Sequence, residues 1–312
     1  MGTSYLAVGY ECNHNCIACP LTTYDRLHKK LTFEDIKKRV YSIKKDSSIN
    51  HIVLSGGEPM LHPEFFKILE FLITEQFDIT VLSNATQCKD VAFVTKLKQI
   101  TKGSKFNIVV AIHSSKTEIH DKMTGTRGSL LETLEGLDNL AEAGITLVIK
   151  HIFNKITLPY IMETFRYLEQ HYPPQVSFQF CSMDYSGRAE KNKEKLFVTL
   201  EDLKEPVEKV LDYLDARMSH KRNVTFIETP LCMLDPYYWK YFKTPDIYLD
   251  TYIAPNTDDK EIIHQVRSEC GTFFKPCSDC DVKKWCSGIW KSAYEGDSNN
   301  TMLKPIHALI QN

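Results

Sequence analysis

The chain has 312 residues, 43% apolar and 25% charged, the composition of an ordinary globular protein with room for one large α/β domain and an appendage. Lys and Arg number 38 against 40 Asp and Glu, a net charge of −2, so nothing supports broad phosphate neutralisation and a general nucleic-acid binder is excluded. Apolar runs such as 145–149 fall far short of a bilayer span, and the N-terminus has no charged flank before an apolar stretch. The expectation is a cytoplasmic chain without membrane contact, whose ten cysteines are ligands or reactive thiols rather than disulfides.

Residues 3–10 read as a first strand, short and apolar, ending at a loop with three cysteines. A helix follows over 32–45, with Thr32 as N-cap and Asp35 in the capping-box position. A second strand, 51–54, ends at Ser55-Gly56-Gly57-Glu58-Pro59, and a helix over 63–76 has Pro63 near its first turn. Strand 78–83, helix 90–101, strand 107–112, helix 129–143, strand 145–152, helix 158–171, strand 175–181 and a helix over 200–218 complete the series. A strand–helix unit repeated about six times demands parallel strands with right-handed crossovers. Six units are too few for a closed eight-unit barrel. The fold expected is therefore α/β, a partial (β/α)6 TIM barrel over 1–220, followed by a C-terminal extension over 221–312. The polar clusters at Cys12–Cys19, Gly56–Pro59, Ser83-Asn84, His113 and Cys181 all fall where strands end, the functional face of such folds.

Cys12, Cys16 and Cys19 are spaced C-x3-C-x2-C, so a tight loop brings three thiols together. Three sulfurs are one short of a closed zinc site, which His14 inside the triplet would complete. Alternatively, a [4Fe–4S] cluster on three cysteines keeps one iron open to a ligand. A second group, Cys270, Cys277, Cys280 and Cys286, supplies four thiols, enough to close a zinc or an iron–sulfur site. Cys88, Cys181 and Cys232 remain without a metal role. Gly56-Gly57 lets the backbone approach a ligand with no Cβ in the way, or forms a plain strand–helix turn.

Together these residues resemble the radical S-adenosylmethionine (SAM) superfamily. The cysteine triplet matches its signature, and Gly56-Gly57-Glu58-Pro59 matches its second motif at the expected end of strand 2. Residues 112–144 also look like the corresponding family segment, and the resemblance covers about residues 3 to 218. It implies a [4Fe-4S] cluster on Cys12, Cys16 and Cys19 whose open iron chelates the amino and carboxylate groups of SAM. One electron then cleaves the sulfonium, and the resulting 5′-deoxyadenosyl radical abstracts a hydrogen atom from the substrate. By the same resemblance the Gly56–Pro59 backbone holds the SAM amino group with Glu58 as a candidate helper, and Ser83-Asn84 lies near the ribose. His113 is a candidate for facing the cofactor, and Arg127 and Arg188 are candidates for the SAM carboxylate. Gly187-Arg188-Ala189 resembles a recurring family segment.

Cys277-x2-Cys280-x5-Cys286 resembles the middle of the SPASM and Twitch extensions of this superfamily. Nothing after Cys286 is a cysteine, so the expectation is one auxiliary [4Fe-4S] cluster on Cys270, Cys277, Cys280 and Cys286, with Cys232 as alternative fourth ligand. Trp290 falls in a short closing helix expected after Ser287. Relatives with such extensions often modify ribosomally made peptides (RiPP maturases). A peptide is thus the leading substrate, with a crosslink, a thioether or an epimerised residue as the outcome. A small metabolite or cofactor precursor is the second reading, and a non-enzymatic zinc module the third. For epimerisation a thiol must return a hydrogen atom, and Cys181 and Cys232 are the candidates. Expected partners are the peptide, a separate peptide-recognition protein if the barrel mouth does not grip the peptide itself, and an electron donor such as flavodoxin or ferredoxin.

Overall fold

The computed structural model describes residues 2–21, 31–217, 222–242, 250–254, 262–265, 271–295 and 303–307. Its strands in chain order are β1 (Gly2–Ala7), β2 (Ile49–Ser55), β3 (Asp78–Ser83), β4 (Phe106–Ala111), β5 (Leu147–Ile152), β6 (Ser177–Cys181) and β7 (Val224–Ile227). Helices α1 (Phe33–Ile43), α2 (Phe65–Thr74), α3 (Val91–Thr101), α4 (Thr117–Thr124), α5 (Ser129–Glu142), α6 (Ile161–His171), α7 (Gly187–Lys191), α8 (Lys193–Leu196) and α9 (Leu200–Arg217) lie between them. The seven strands pair in parallel from β1 through to β7. They form the curled, open sheet of a partial TIM barrel. All six expected strands and their helices are present, with ends shifted by a few residues. Strand β1 stops at Ala7 rather than residue 10, which leaves Val8, Gly9 and Tyr10 to pack under the following loops.

Three strands go beyond the expected six. Strand β7 adds in parallel to β6 at one edge. At the other edge β8 (Asp250–Ala254) pairs in parallel with β1, and β9 (Ile262–Gln265) returns antiparallel to β8. The sheet order is thus β7-β6-β5-β4-β3-β2-β1-β8-β9. The three added strands all come from the part of the chain that was expected to be the C-terminal extension. A short helix α10 (Lys291–Tyr294) follows the last described cysteine.

Side-chain alternation separates the helix layer from the barrel interior. In β6, Phe178 and Phe180 are fully buried while Gln179 and Cys181 take the other face. The Phe165 ring of α6 packs on Phe180 with centroids 4.6 Å apart, and Phe180 stacks on Phe226 of β7 at 4.9 Å. Each such buried ring contributes ~1.5–3 kcal/mol of transfer free energy, so this face fixes the β5–β7 edge. Helix α1 begins as its sequence demands. Thr32 Oγ1 accepts the Asp35 N–H at 3.2 Å, and Asp35 Oδ2 accepts the Thr32 N–H at 3.0 Å. Among the described residues no helix is long and apolar enough to cross a membrane.

Candidate active site

A cavity of about 270 Å³ opens at the C-terminal ends of the strands. Its wall includes Cys12, Cys16 and Cys19, the Gly56–Glu58 turn, Ser83, Asn84 and His113. The strand ends that looked polar in the sequence are therefore brought together, as a parallel barrel requires.

The cysteine loop is held from two sides. Its Asn15 and Ile17 N–H groups donate to Thr124 O at 2.8 Å and Met123 O at 2.9 Å, the last turn of α4. From α7, Arg188 donates to Asn15 Oδ1 at 2.6 Å and Asn15 O at 2.8 Å, while its own N–H donates to Cys19 O at 2.9 Å. Gly187 makes that approach possible. It sits at φ 58°, and a Cβ there would lie 2.1 Å from Pro20 O. Arg188 is thus a clamp on the cysteine loop and does not line the cavity. Arg127 is exposed between α4 and α5 and does not line it either.

The Gly-Gly turn makes its close approach to the chain itself. Gly57 N–H donates to Gly9 O at 2.9 Å and Glu58 N–H to Glu11 O at 2.8 Å. A Cβ on Gly57 would lie 2.1 Å from Glu11 O. The paired glycines therefore lock the turn onto the base of the cysteine loop. The Glu58 carboxylate is spent in the same way. It accepts from Met60 N–H at 3.0 Å, Ser83 Oγ–H at 2.8 Å and Asn84 N–H at 2.6 Å. Burial pushes its pKa up to about 7 against the opposing pull of those donors from Asn84, Met60 and Ser83. Pro59 opens the one-turn 3-10 helix that Glu58 caps. The Asn84 side chain donates to Asn13 Oδ1 at 2.7 Å, tying the end of β3 to the cysteine loop.

His113 is 7% exposed and lines the cavity, and its Nδ1 has no hydrogen-bond partner. Its backbone N–H donates to Nδ1 of the fully buried His120 at 3.3 Å. Burial and the neighbouring imidazoles hold it well below the usual histidine range, so it is neutral. Among the described residues no three His, Cys, Asp or Glu side chains stand close enough to hold a single metal ion. A four-iron cubane needs its thiolates farther apart than a single ion does. Three thiols on one tied loop, plus an orphaned buried imidazole nitrogen in the same cavity wall, fit the cluster and SAM that the sequence resemblance implies.

Lys150 of β5 also lines this cavity, and the sequence analysis did not single it out. Cys181, at the end of β6, is 2% exposed and donates to Glu228 Oε2 at 2.8 Å. Burial and that carboxylate hold its thiol well above the usual range, against the opposing influence of Lys150. Cys88 is fully buried against Met60.

A second cavity gathers Cys232, Cys277, Cys280 and Cys286. Backbone N–H groups point at its sulfurs: Leu231 and Gly288 to Cys286 Sγ, both at 3.4 Å, and Ile306 to Cys280 Sγ at 3.5 Å. Burial raises the Cys232 thiol to about 12, with a backbone donor from Lys304 pulling the other way. Cys232 therefore belongs with the C-terminal cysteines rather than with the barrel mouth. Cys270 lies outside the described residues.

A family model for the radical SAM superfamily matches residues 6–168. Curated relatives include a probable GTP 3′,8-cyclase of Thermococcus kodakarensis, 28% identical over 134 residues (43% of this chain, 41% of that protein). The subtilosin biosynthesis protein AlbA of Bacillus subtilis is 26% identical over 149 residues (47% of this chain, 32% of that protein). The chain thus spans less than half the length of these relatives. Among solved structures, anSMEcpe with bound AdoMet has a TM-score of 0.68 at 13% identity, covering 98% of this chain and 92% of that one. Streptococcus suis SuiB bound to the precursor peptide SuiA has a TM-score of 0.66 at 16% identity, covering 98% and 74%. These two show the fold alone. The family match spans more than half of the sequence and takes in both motifs of the cavity, which sets aside the zinc-module reading: this chain belongs to the radical SAM superfamily.

Proposed function

We propose that this radical SAM enzyme abstracts a hydrogen atom from a ribosomally made peptide and leaves a crosslink, a thioether or an epimerised residue. The observation that carries the reading is the second cavity, where four cysteines gather under backbone N–H donors. Cys232, Cys277, Cys280 and Cys286 are the proposed ligands of one auxiliary [4Fe-4S] cluster, in an extension over 221–312 appended to a barrel over 1–220. When bound, SAM and the cluster on Cys12, Cys16 and Cys19 supply the hydrogen-abstracting radical. The chain's own residues orient that site. Arg188 and α4 fix the cysteine loop, the Gly57 turn braces it from below, and His113 offers its Nδ1 to the ligand. Cys181 is the proposed hydrogen donor if the outcome is epimerisation, because burial and Glu228 keep it a protonated thiol. AlbA, named for subtilosin biosynthesis, and SuiB, solved with its precursor peptide, support the peptide class. An electron donor such as flavodoxin or ferredoxin, and a separate peptide-recognition protein, complete the proposal.

A second reading, a small metabolite or cofactor precursor, is favoured by relatives named as GTP 3′,8-cyclase and AdoMet-dependent heme synthase. The test is incubation with SAM, a reductant and the short peptides encoded beside this chain. Formation of 5′-deoxyadenosine with a peptide mass change supports the proposal. Loss of two hydrogens marks a crosslink, and 5′-deoxyadenosine formation with unchanged mass in ordinary water but a gain of about one dalton in deuterated water marks epimerisation. Turnover on GTP or a tetrapyrrole, with every peptide unchanged, overturns it.

A further inference from the structure

Strand β5 carries a lysine where the cavity wall is mainly apolar. Leu147, Ile149 and His151 are buried on one face, and Val148, Lys150 and Ile152 take the other. Lys150 stands in register between Ala111 of β4 and Gln179 of β6, and Ala111 and Ile152 line the same cavity. Among the described residues it is the one lysine or arginine in that wall. The two arginines that looked suited to this task stand elsewhere, Arg188 on the cysteine loop and Arg127 at the surface.

The neighbours of Lys150 are built to keep a cation there. Cys181 donates to Glu228 Oε2 at 2.8 Å. Glu228 has φ 51°, a left-handed conformation that residues other than glycine rarely adopt. Thr229 holds it so. Its Oγ1 accepts from Ser182 N–H at 3.1 Å and donates to Ile227 O at 2.8 Å, and its carbonyl accepts from Ser287 Oγ–H at 2.8 Å. Burial pulls the Lys150 ammonium toward deprotonation, but Cys181 and Glu228 outweigh it and its pKa is raised.

We infer that Lys150 is an anion anchor, whose ammonium receives a carboxylate of the ligand occupying the β5 side of the cavity. That carboxylate has two sources, the methionyl part of SAM or the second substrate. The SAM arm rests on the radical SAM assignment; the anchor itself does not.

Two measurements test this on the anaerobically reconstituted full chain. In the first, affinities for SAM and decarboxylated SAM are compared in wild type and Lys150→Met. If the anchor holds the cofactor, wild type prefers SAM by about tenfold or more and the variant loses the preference, while Lys150→Arg keeps part of it. In the second, wild type is alkylated with iodoacetate or iodoacetamide with SAM present, and labelling of Cys181 is followed by peptide mass spectrometry. If the anchor serves the second substrate, the anionic reagent labels Cys181 faster than the neutral one, and Lys150→Met abolishes the difference. This second measurement needs no variant to read the wild-type preference. The inference is overturned if the SAM preference survives in Lys150→Met and iodoacetate shows no advantage at Cys181, including the case in which neither reagent labels it.

Discussion

At the scale of single residues, Glu58 has the most measurable consequence. An acid held at about 7 in the folded chain binds a proton that the unfolded chain, near 4.5, releases. Below about 4.5 it is protonated in both states and adds no pH dependence. As pH rises from there to about 7, the folded state retains the extra proton and its stability falls. Above 7 the whole desolvation penalty is present, on the order of 3 kcal/mol. Glu58→Gln removes this titration but leaves one of three buried donors poorly met, a cost of ~1–3 kcal/mol at low pH. Measured against Glu58→Gln at pH 5, 6 and 7, the wild-type urea midpoint should therefore fall with pH, on top of the rise that the depressed buried histidines His113, His120 and His151 give both proteins. Parallel curves would show that Glu58 is already ionised at pH 5. The physical gain from the arrangement is organisation, because one side chain fastens the ends of β2 and β3 directly under the cofactor loop.

Among elements, the cysteine loop depends on helices distant in sequence. Arg188 grips Asn15 through two nitrogens across 173 residues, and α4 supplies the opposite wall. Arg188→Ala should therefore loosen the loop more than the barrel. The expected outcome is a clear drop in iron retained at Cys12, Cys16 and Cys19 during gel filtration, with the unfolding midpoint shifted by less than ~1 kcal/mol, since an exposed pair contributes little to global stability. Equal loss of iron and of fold would instead make the contact part of the core. How much of this was legible depends on the element. The capping box of α1 was readable because Thr32 and Asp35 are three apart, and the six strand–helix units because their apolar periods alternate cleanly. Strand β7 escaped because Val224, Thr225, Phe226 and Ile227 are all buried and show no period-two pattern. Helix α4 escaped because it is only eight residues long and stops at Gly125, close to the turn that starts α5. Lys150 escaped for a different reason: a polar residue at an alternate strand position reads as solvent-facing, and only the curl of the sheet turns that face inward. The Gly56-Gly57 pair lies in the cavity wall, and its close approach to Gly9 and Glu11 of the chain was not legible, because those contacts depend on how the cysteine loop folds back.

On the scale of the whole molecule, residues 227–232 run from the end of β7 into the four-cysteine cavity. Ile227 ends β7, Glu228 holds Cys181, Thr229 binds both Ser182 and Ser287, and Leu231 donates to Cys286 Sγ before Cys232 enters the four-cysteine cavity. In the proposed auxiliary cluster, a six-residue brace of this kind would make the fourth ligand a matter of topology. Cys232 is carried into place by a strand of the barrel sheet and stands under the influence of Cys286, Cys277 and Cys280. Iron counting after anaerobic reconstitution discriminates between the two candidate ligands. Two cubanes correspond to about eight irons per chain. Cys232→Ser should reduce this to about four, with the remaining cluster still perturbed by added SAM in its electron paramagnetic resonance spectrum. Cys270→Ser should leave about eight. The reverse pattern would return the fourth position to Cys270 and reduce the brace to a packing contact. If both variants keep eight irons, the auxiliary cluster is held by three thiols, which leaves an open iron and shifts its proposed role from electron conduit to substrate ligand.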